Sequence, residues 1–113
     1  MNSEKEEGEM KILRHKYNAQ PTEVDGMKFG SKKEAAYYRQ LNILQKSGEI
    51  VGFFRQTPLH LPGNIKYVMD FFVFYSNGTC EGIEVKGFET KIWKIKQKLI
   101  KTHYPWVNVK IVK

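Results

Sequence analysis

Cysteine is almost absent. Cys80 stands alone among 113 residues, so an internal disulfide is excluded and a reducing compartment fits. Long apolar runs are also missing. None approaches the ~20 residues that span a bilayer, so no membrane association is expected. The opening MNSEKEEGEM is acidic and has no apolar segment, which argues against a signal peptide and for a cytoplasmic protein. Neither G-x-x-x-x-G-K-[ST] nor G-x-G-x-x-G occurs, so no nucleotide cofactor is expected. His15, His60 and His103 are scattered without zinc-ligand spacing. Internal repeats and heptads are missing too. Cys80 has no neighbours that would activate a nucleophile, and reads as a small packing residue.

What remains is an ordinary globular composition with an uneven charge. Hydrophobic residues make up 41% and charged residues 27%, enough for one domain with one modest core. The net charge is +7, but four of the 12 acidic and one of the 19 basic residues lie in the first ten positions. Without them 18 basic face eight acidic residues, a net +10. That excess favours a polyanionic partner, nucleic acid first.

Residues 1–15 read as a polar tail. The domain spans 16–113, with 16–30 an arm or a hairpin turning at Asp25-Gly26. SKKEAAYYRQLNILQKSG is the clearest helix, capped by Ser31 and stopped by Gly48, with Tyr37, Leu41 and Leu44 facing inward. EIVGFFRQTPLHLP reads as a strand broken at Pro58, followed by a second short strand. IKYVMDFFVFY is a long apolar strand, SNG a turn, and CEGIEVKG its return. ETKIWKIKQKLIKTHYP is a second helix ending before Pro105, and WVNVKIVK a last strand. The order is α-β-β-β-α-β around a central antiparallel hairpin.

Asp70 is the anomaly of the long strand, since its near neighbours are apolar. Two readings compete. An edge-strand Asp would reach solvent. A buried Asp would need a partner, and a bound cation would stabilise it. Hairpin register separates these readings. A two-residue Asn77-Gly78 loop sets Asp70 opposite Val85. A three-residue Ser76-Asn77-Gly78 loop, with Gly78 left-handed, sets Asp70 opposite Glu84, with Lys86 on the same face. Both registers are open to the sequence. In the second, the two carboxylates would be roughly 5 Å apart at Cβ and would repel. Mg²⁺, which favours oxygen ligands and keeps several waters, removes that conflict. The Val85 carbonyl lies between the two positions and adds a ligand. Lys86 would face a scissile phosphate. Small Cys80 and Gly82 would leave open space beside this site.

Glu34 has two readings as well. Ser31-Lys-Lys-Glu34 matches a capping box. Glu34 also heads the stripe that runs through Tyr37, Tyr38, Leu41 and Leu44, so it can cap and still face a site. On the second helix, Ile92, Ile95, Leu99 and Ile100 define an apolar face, and Lys96 falls in its middle. Lys96 either snorkels from the core edge or reaches a phosphate at the site. Lys91, Lys94, Lys98 and Lys101 form the opposite stripe, a solvated face or a surface that tracks a DNA backbone. Gln56 is a further residue that points at the site from its strand. Tyr17, Phe29, Tyr104 and Trp106 suit packing better than base stacking.

Glu34, Asp70 and Glu84-Val85-Lys86, in this order, resemble the PD-(D/E)XK nuclease superfamily, over about residues 31–112. FGSKKEAAYY, DFFVFY-SNG, EVKGFET and KTHYPWVNVKIVK resemble small phage-encoded nuclease-like proteins and phage endonuclease I, a Holliday-junction resolvase. The resemblance implies a restriction-endonuclease-like α/β core with a mixed sheet flanked by helices. It implies Asp70 and Glu84 as ligands of Mg²⁺ or Mn²⁺, Glu34 completing the acidic site, and Lys86 as the catalytic lysine. It also implies a homodimer, and a bacterial host cell as the setting if the chain is phage-encoded. Met69 stands where the motif has Pro before the Asp. The expected activity is metal-dependent cleavage of branched DNA such as four-way junctions. The alternatives are a nicking or linear-duplex nuclease, or a DNA-binding module that keeps the fold without cutting.

Overall fold

A computed structural model of the chain describes residues 21–85 and 90–113. The expected tail over 1–15, the start of the arm and Lys86 lie outside the described residues. The fold is mixed α/β. Strands β1 (Thr22–Val24) and β2 (Met27–Phe29) form a hairpin. Its turn residues Asp25 and Gly26 both have positive φ, 54° and 75°, as a tight two-residue turn requires. Helix α1 (Lys32–Ser47) follows. Ser31 Oγ accepts the Glu34 amide at its start, and Gly48, at φ 85°, closes its end through bonds to Gln45 and Leu44 carbonyls.

Strands β3 (Ile50–Leu61), β4 (Ile65–Tyr75) and β5 (Cys80–Val85) then run as a meander. Helix α2 (Lys91–His103) crosses over to β6 (Val109–Val112). The sheet order is β3-β4-β5-β6. Only β5 and β6 are parallel, and a parallel pair needs a long connection, which α2 supplies. This is the α-β-β-β-α-β order expected, with one correction. β3 does not break at Pro58. It is the edge strand and Pro58 is exposed there, where a missing amide proton is tolerated.

The sheet is covered on both faces. On one, α1 and the β1–β2 hairpin pack against Phe71, Val73, Ile83 and Val85. On the other, Trp93 and Ile100 of α2 pack against Leu59, Tyr67, Met69 and Phe72. Side chains of a regular strand alternate between faces, so Phe71 and Val73 belong to the α1 face and Phe72 to the α2 face. Tyr67 and Met69 should then face α1, yet they pack on the α2 side. The alternation slips by one at Asp70. In β3 the same slip separates Phe53, on the α1 side, from Leu59 and Leu61, on the α2 side. Between them lies Gln56, in a left-handed conformation with φ 49°.

Arg55 pairs with Phe71 and Thr57 with Met69, so Gln56 and Asp70 count opposite each other. Both strands turn over together, and their ladder stays in register. β5 follows only the half of β4 between the slip and the loop: its pairing with β4 runs from Phe74↔Cys80 to Phe71↔Ile83. The sheet therefore forks at Asp70, and the outer part of the β3–β4 ribbon leaves β5.

Two sequence expectations need correction. The buried face of α2 is Trp93, Lys96 and Ile100, whereas Ile92 and Ile95 are 56% and 60% exposed. Bulky Trp93 sets the rotation of the helix by filling the space over Tyr67, and the two isoleucines are carried outward. Gly82 does not open a space either. A Cβ there would collide with Met69 Sδ, so the missing side chain is filled by a neighbour from β4.

Candidate functional site

The fork gathers the acidic residues. Tyr75 N donates to Thr79 O at 2.8 Å, and Gly78 N to Tyr75 O at 3.1 Å. Gly78 has φ 91°. The loop is therefore the three-residue Ser76-Asn77-Gly78 form, and one further step along the β4–β5 register sets Asp70 opposite Glu84. Asp70 is no edge residue: it is 0% exposed, on a strand with neighbours on both sides. Its Oδ2 accepts the Val85 amide at 2.8 Å. The side chain thus receives a bond of the kind that a β4 carbonyl would take in an unforked sheet.

Glu84 is 3% exposed and lies on the α2 side, opposite to Ile83 and Val85. Tyr67 donates its hydroxyl to Glu84 Oε1 at 2.9 Å. That contact exists because the slip at Asp70 turned Tyr67 to the α2 face. The Tyr67 ring leans on Trp93, with centroids 5.3 Å apart. Trp93 is fixed in turn at the capped start of α2, where its amide donates to Thr90 Oγ1 at 3.0 Å. The beginning of α2 is thereby tied to Glu84.

Glu34 approaches from the α1 side, 1% exposed. Its amide supplies the cap bond to Ser31, and its carboxylate Oε2 accepts from Gln56 Nε2 at 3.1 Å. Capping and site-facing are therefore combined in one residue. Gly30 leaves room for it: a Cβ there would stand 3.4 Å from Glu34 Oε1. Lys96, one turn beyond Trp93, is 9% exposed. Lys91, Lys94, Lys98 and Lys101 are all exposed.

Three carboxylates are thus withdrawn from water around one fork. Isolated charges in such surroundings are strongly unfavourable. The donors that the register brings together are Asp70 and Glu84, with the Val85 carbonyl beside them. Among the described residues, no group of three or more His, Cys, Asp or Glu side chains stands close enough to hold a metal ion. Two carboxylate donors fit a hard cation that keeps most of its waters, the ordinary habit of Mg²⁺. Glu34, on the other face, is held by Gln56. Lys86, expected on the Glu84 face, is outside the described residues.

Tyr67 is the site residue that the sequence does not reveal. It sits between Lys66 and Val68 in β4, and regular alternation would put it on the opposite face from Glu84. Gln56 is visible in the sequence, but its left-handed backbone is not, since glutamine carries no preference for that region. Holding it there costs about 1–3 kcal/mol.

Comparison with protein families matches residues 14–113 to the family described as Protein of unknown function (DUF1064). The chain belongs to that family. None of the curated proteins compared with it matches.

Proposed function

We propose that this member of the family is a metal-dependent DNA endonuclease of PD-(D/E)XK type. The observation that carries the reading is the carboxylate pair: Asp70 and Glu84, both buried, count opposite each other at the point where β4 and β5 part. A dry pair of like charges calls for a cation. Asp70, Glu84 and the Val85 carbonyl would hold Mg²⁺ or Mn²⁺, with Glu34 as the third acidic residue. The metal, when bound, supplies Lewis-acid stabilisation of the charge that builds on a phosphodiester under attack by water.

The residues of the chain do the rest. Tyr67 fixes the orientation of Glu84. The Val85 amide fixes that of Asp70. Lys86, by its place in Glu84-Val85-Lys86, would be the catalytic lysine, as the motif's resemblance implies. Lys96, one turn from Trp93, adds a positive charge on the inward face of α2. The lysines on the outer face of α2 track the nucleic-acid backbone, in keeping with the net +10 beyond the acidic start. No helix among the described residues is long and apolar enough to cross a membrane. We take branched DNA, such as a four-way junction, as the substrate, and a homodimer in the cytoplasm as the working form. These finer assignments rest on the resemblance of the motifs.

The test is direct. Labelled junction, flap, linear duplex and single-stranded DNA are incubated with the protein in Mg²⁺ or in EDTA. Paired cuts across the junction, in Mg²⁺ only, are expected. Equal cutting of linear duplex rules out junction selectivity. Tight binding with no cutting in any metal rules out the enzyme and leaves a DNA-binding module.

A further inference from the structure

Gln56 holds an unusual backbone in an unusual place. Among the described residues, the non-glycine residues with positive φ are Asp25, Gln56 and Asn64. Asp25 and Asn64 lie in turns and are of types that tolerate this region. Gln56 lies inside β3. Its neighbour Arg55 stacks on the Phe29 ring, 4.1 Å from the centroid, on the α1 side. Regular alternation would send Gln56 to the α2 side. Instead its amide donates to Glu34 of α1 at 3.1 Å. The left-handed backbone is what returns the side chain to the α1 face. By register it does so directly opposite Asp70.

Strain confined to one residue beside buried carboxylates is the pattern expected of a functional constraint. We propose that Gln56 is a positioning residue: its left-handed backbone and its amide together fix the Glu34 carboxylate on the α1 side of the fork, as the third acidic residue of the site. This rests on the nuclease reading above. Gln56 acts through Glu34 and touches neither metal nor DNA.

Two variants separate the amide from the backbone. Gln56→Gly accepts positive φ without strain but has no side chain. Gln56→Met keeps length and strain but loses the donor. Mg²⁺ binding is measured by titration calorimetry without DNA, and the Mg²⁺ concentration for half-maximal cleavage is measured beside kcat. Loss of a group that orients a metal ligand typically weakens metal binding about 10–100-fold. Both variants should show that loss, and a matching rise in the Mg²⁺ needed for cleavage. The Gly variant should also melt no lower than the Met variant. Wild-type Mg²⁺ affinity in either variant overturns the positioning role and leaves the nuclease reading standing. A wild-type protein that neither binds Mg²⁺ nor cuts any DNA overturns the nuclease reading, and this role falls with it.

Discussion

The β4–β5 hairpin holds two tyrosine–glutamate pairs, one towards each end. Near the loop, Tyr75 donates to Glu81 Oε1 at 2.6 Å. At the fork, Tyr67 donates to Glu84 Oε1 at 2.9 Å. The chemistry is the same and the setting differs. Tyr75 and Glu81 are both partly open to solvent, while Tyr67 and Glu84 are both buried. The outer pair sits on a regular ladder and closes the sheet end. The inner pair exists only because the strand alternation slips at Asp70. A charge at the rim keeps its water, so the outer pair explains itself as structure. A charge enclosed at the fork, beside a second carboxylate, is hard to explain as structure alone.

The comparison breaks most sharply at the carboxylates. Asp70→Asn or Glu84→Gln should lower cleavage of junction DNA by at least ~10³-fold, the scale of the several kcal/mol a Lewis-acid metal supplies. Binding in a gel-shift assay should be kept or strengthened, because shape remains and negative charge is lost. Cleavage that survives both substitutions removes the fork from the chemistry.

Tyr67→Phe should weaken Mg²⁺ binding and cleavage about 10–100-fold, as loss of a ligand's hydrogen-bond partner does. Titration calorimetry and single-turnover cleavage check it. The same substitution at Tyr75 should leave both unchanged. Equal effects at the two tyrosines would erase the distinction drawn between the ends.

Lys96→Met sharpens the contrast on the α2 side. Cleavage should fall about tenfold, the worth of one hydrogen bond to a charged group. The melting temperature should hold or rise, since an apolar side chain suits this enclosed position. Full activity would make Lys96 a structural residue.

The smallest effect belongs to the outer pair. Tyr75→Phe should cost about 1 kcal/mol of stability, the net worth of a typical hydrogen bond. The Tyr75 hydroxyl titrates above its usual 10.0, first because it is desolvated, then because Glu81 accepts its hydrogen bond and repels the phenolate, with Tyr37 adding to this. Burial and Glu81 raise Tyr37 as well. A raised folded pKa means that the unfolded chain loses its proton first. Stability from these groups is therefore complete below pH 10 and declines as pH rises beyond it. Thermal melts between pH 8 and ~11 should show that decline, and Tyr75→Phe should flatten it but not remove it, because Tyr37 remains.

Much of this architecture was legible from local signals. Ser31 and Gly48 bracket α1 because capping depends on a few adjacent residues. Gly78 marks a left-handed position in the loop, yet two-residue and three-residue loops both accept it there, so the Asp70–Glu84 pairing was one of two registers until the Tyr75–Thr79 bond decided it. The placing of Lys96 on an inward face was legible too, from helical spacing. What escaped depends on neighbours distant in sequence. Pro58 reads as a break unless its strand is known to lie at an edge. The rotation of α2 is decided by Trp93 seeking Tyr67, which no helical wheel contains. The slip at Gln56 and Asp70 leaves no mark in composition, and Tyr67 reaches Glu84 only through it.

The loop of Ser76, Asn77 and Gly78 has a role that its polar, exposed tip does not advertise. It sets the phase between two strands, and that phase is carried some 20 Å along the hairpin at about 3.3 Å per residue. Removing a single residue there would move no atom of the fork directly. It would send Ile83 and Val85 to the side where Glu84 now lies, and press Glu84 into the apolar layer under α1. Loop length is thus under the same constraint as the carboxylates themselves. In this family an insertion or deletion at the tip should be accompanied by a bulge in β5, or by the loss of Glu84.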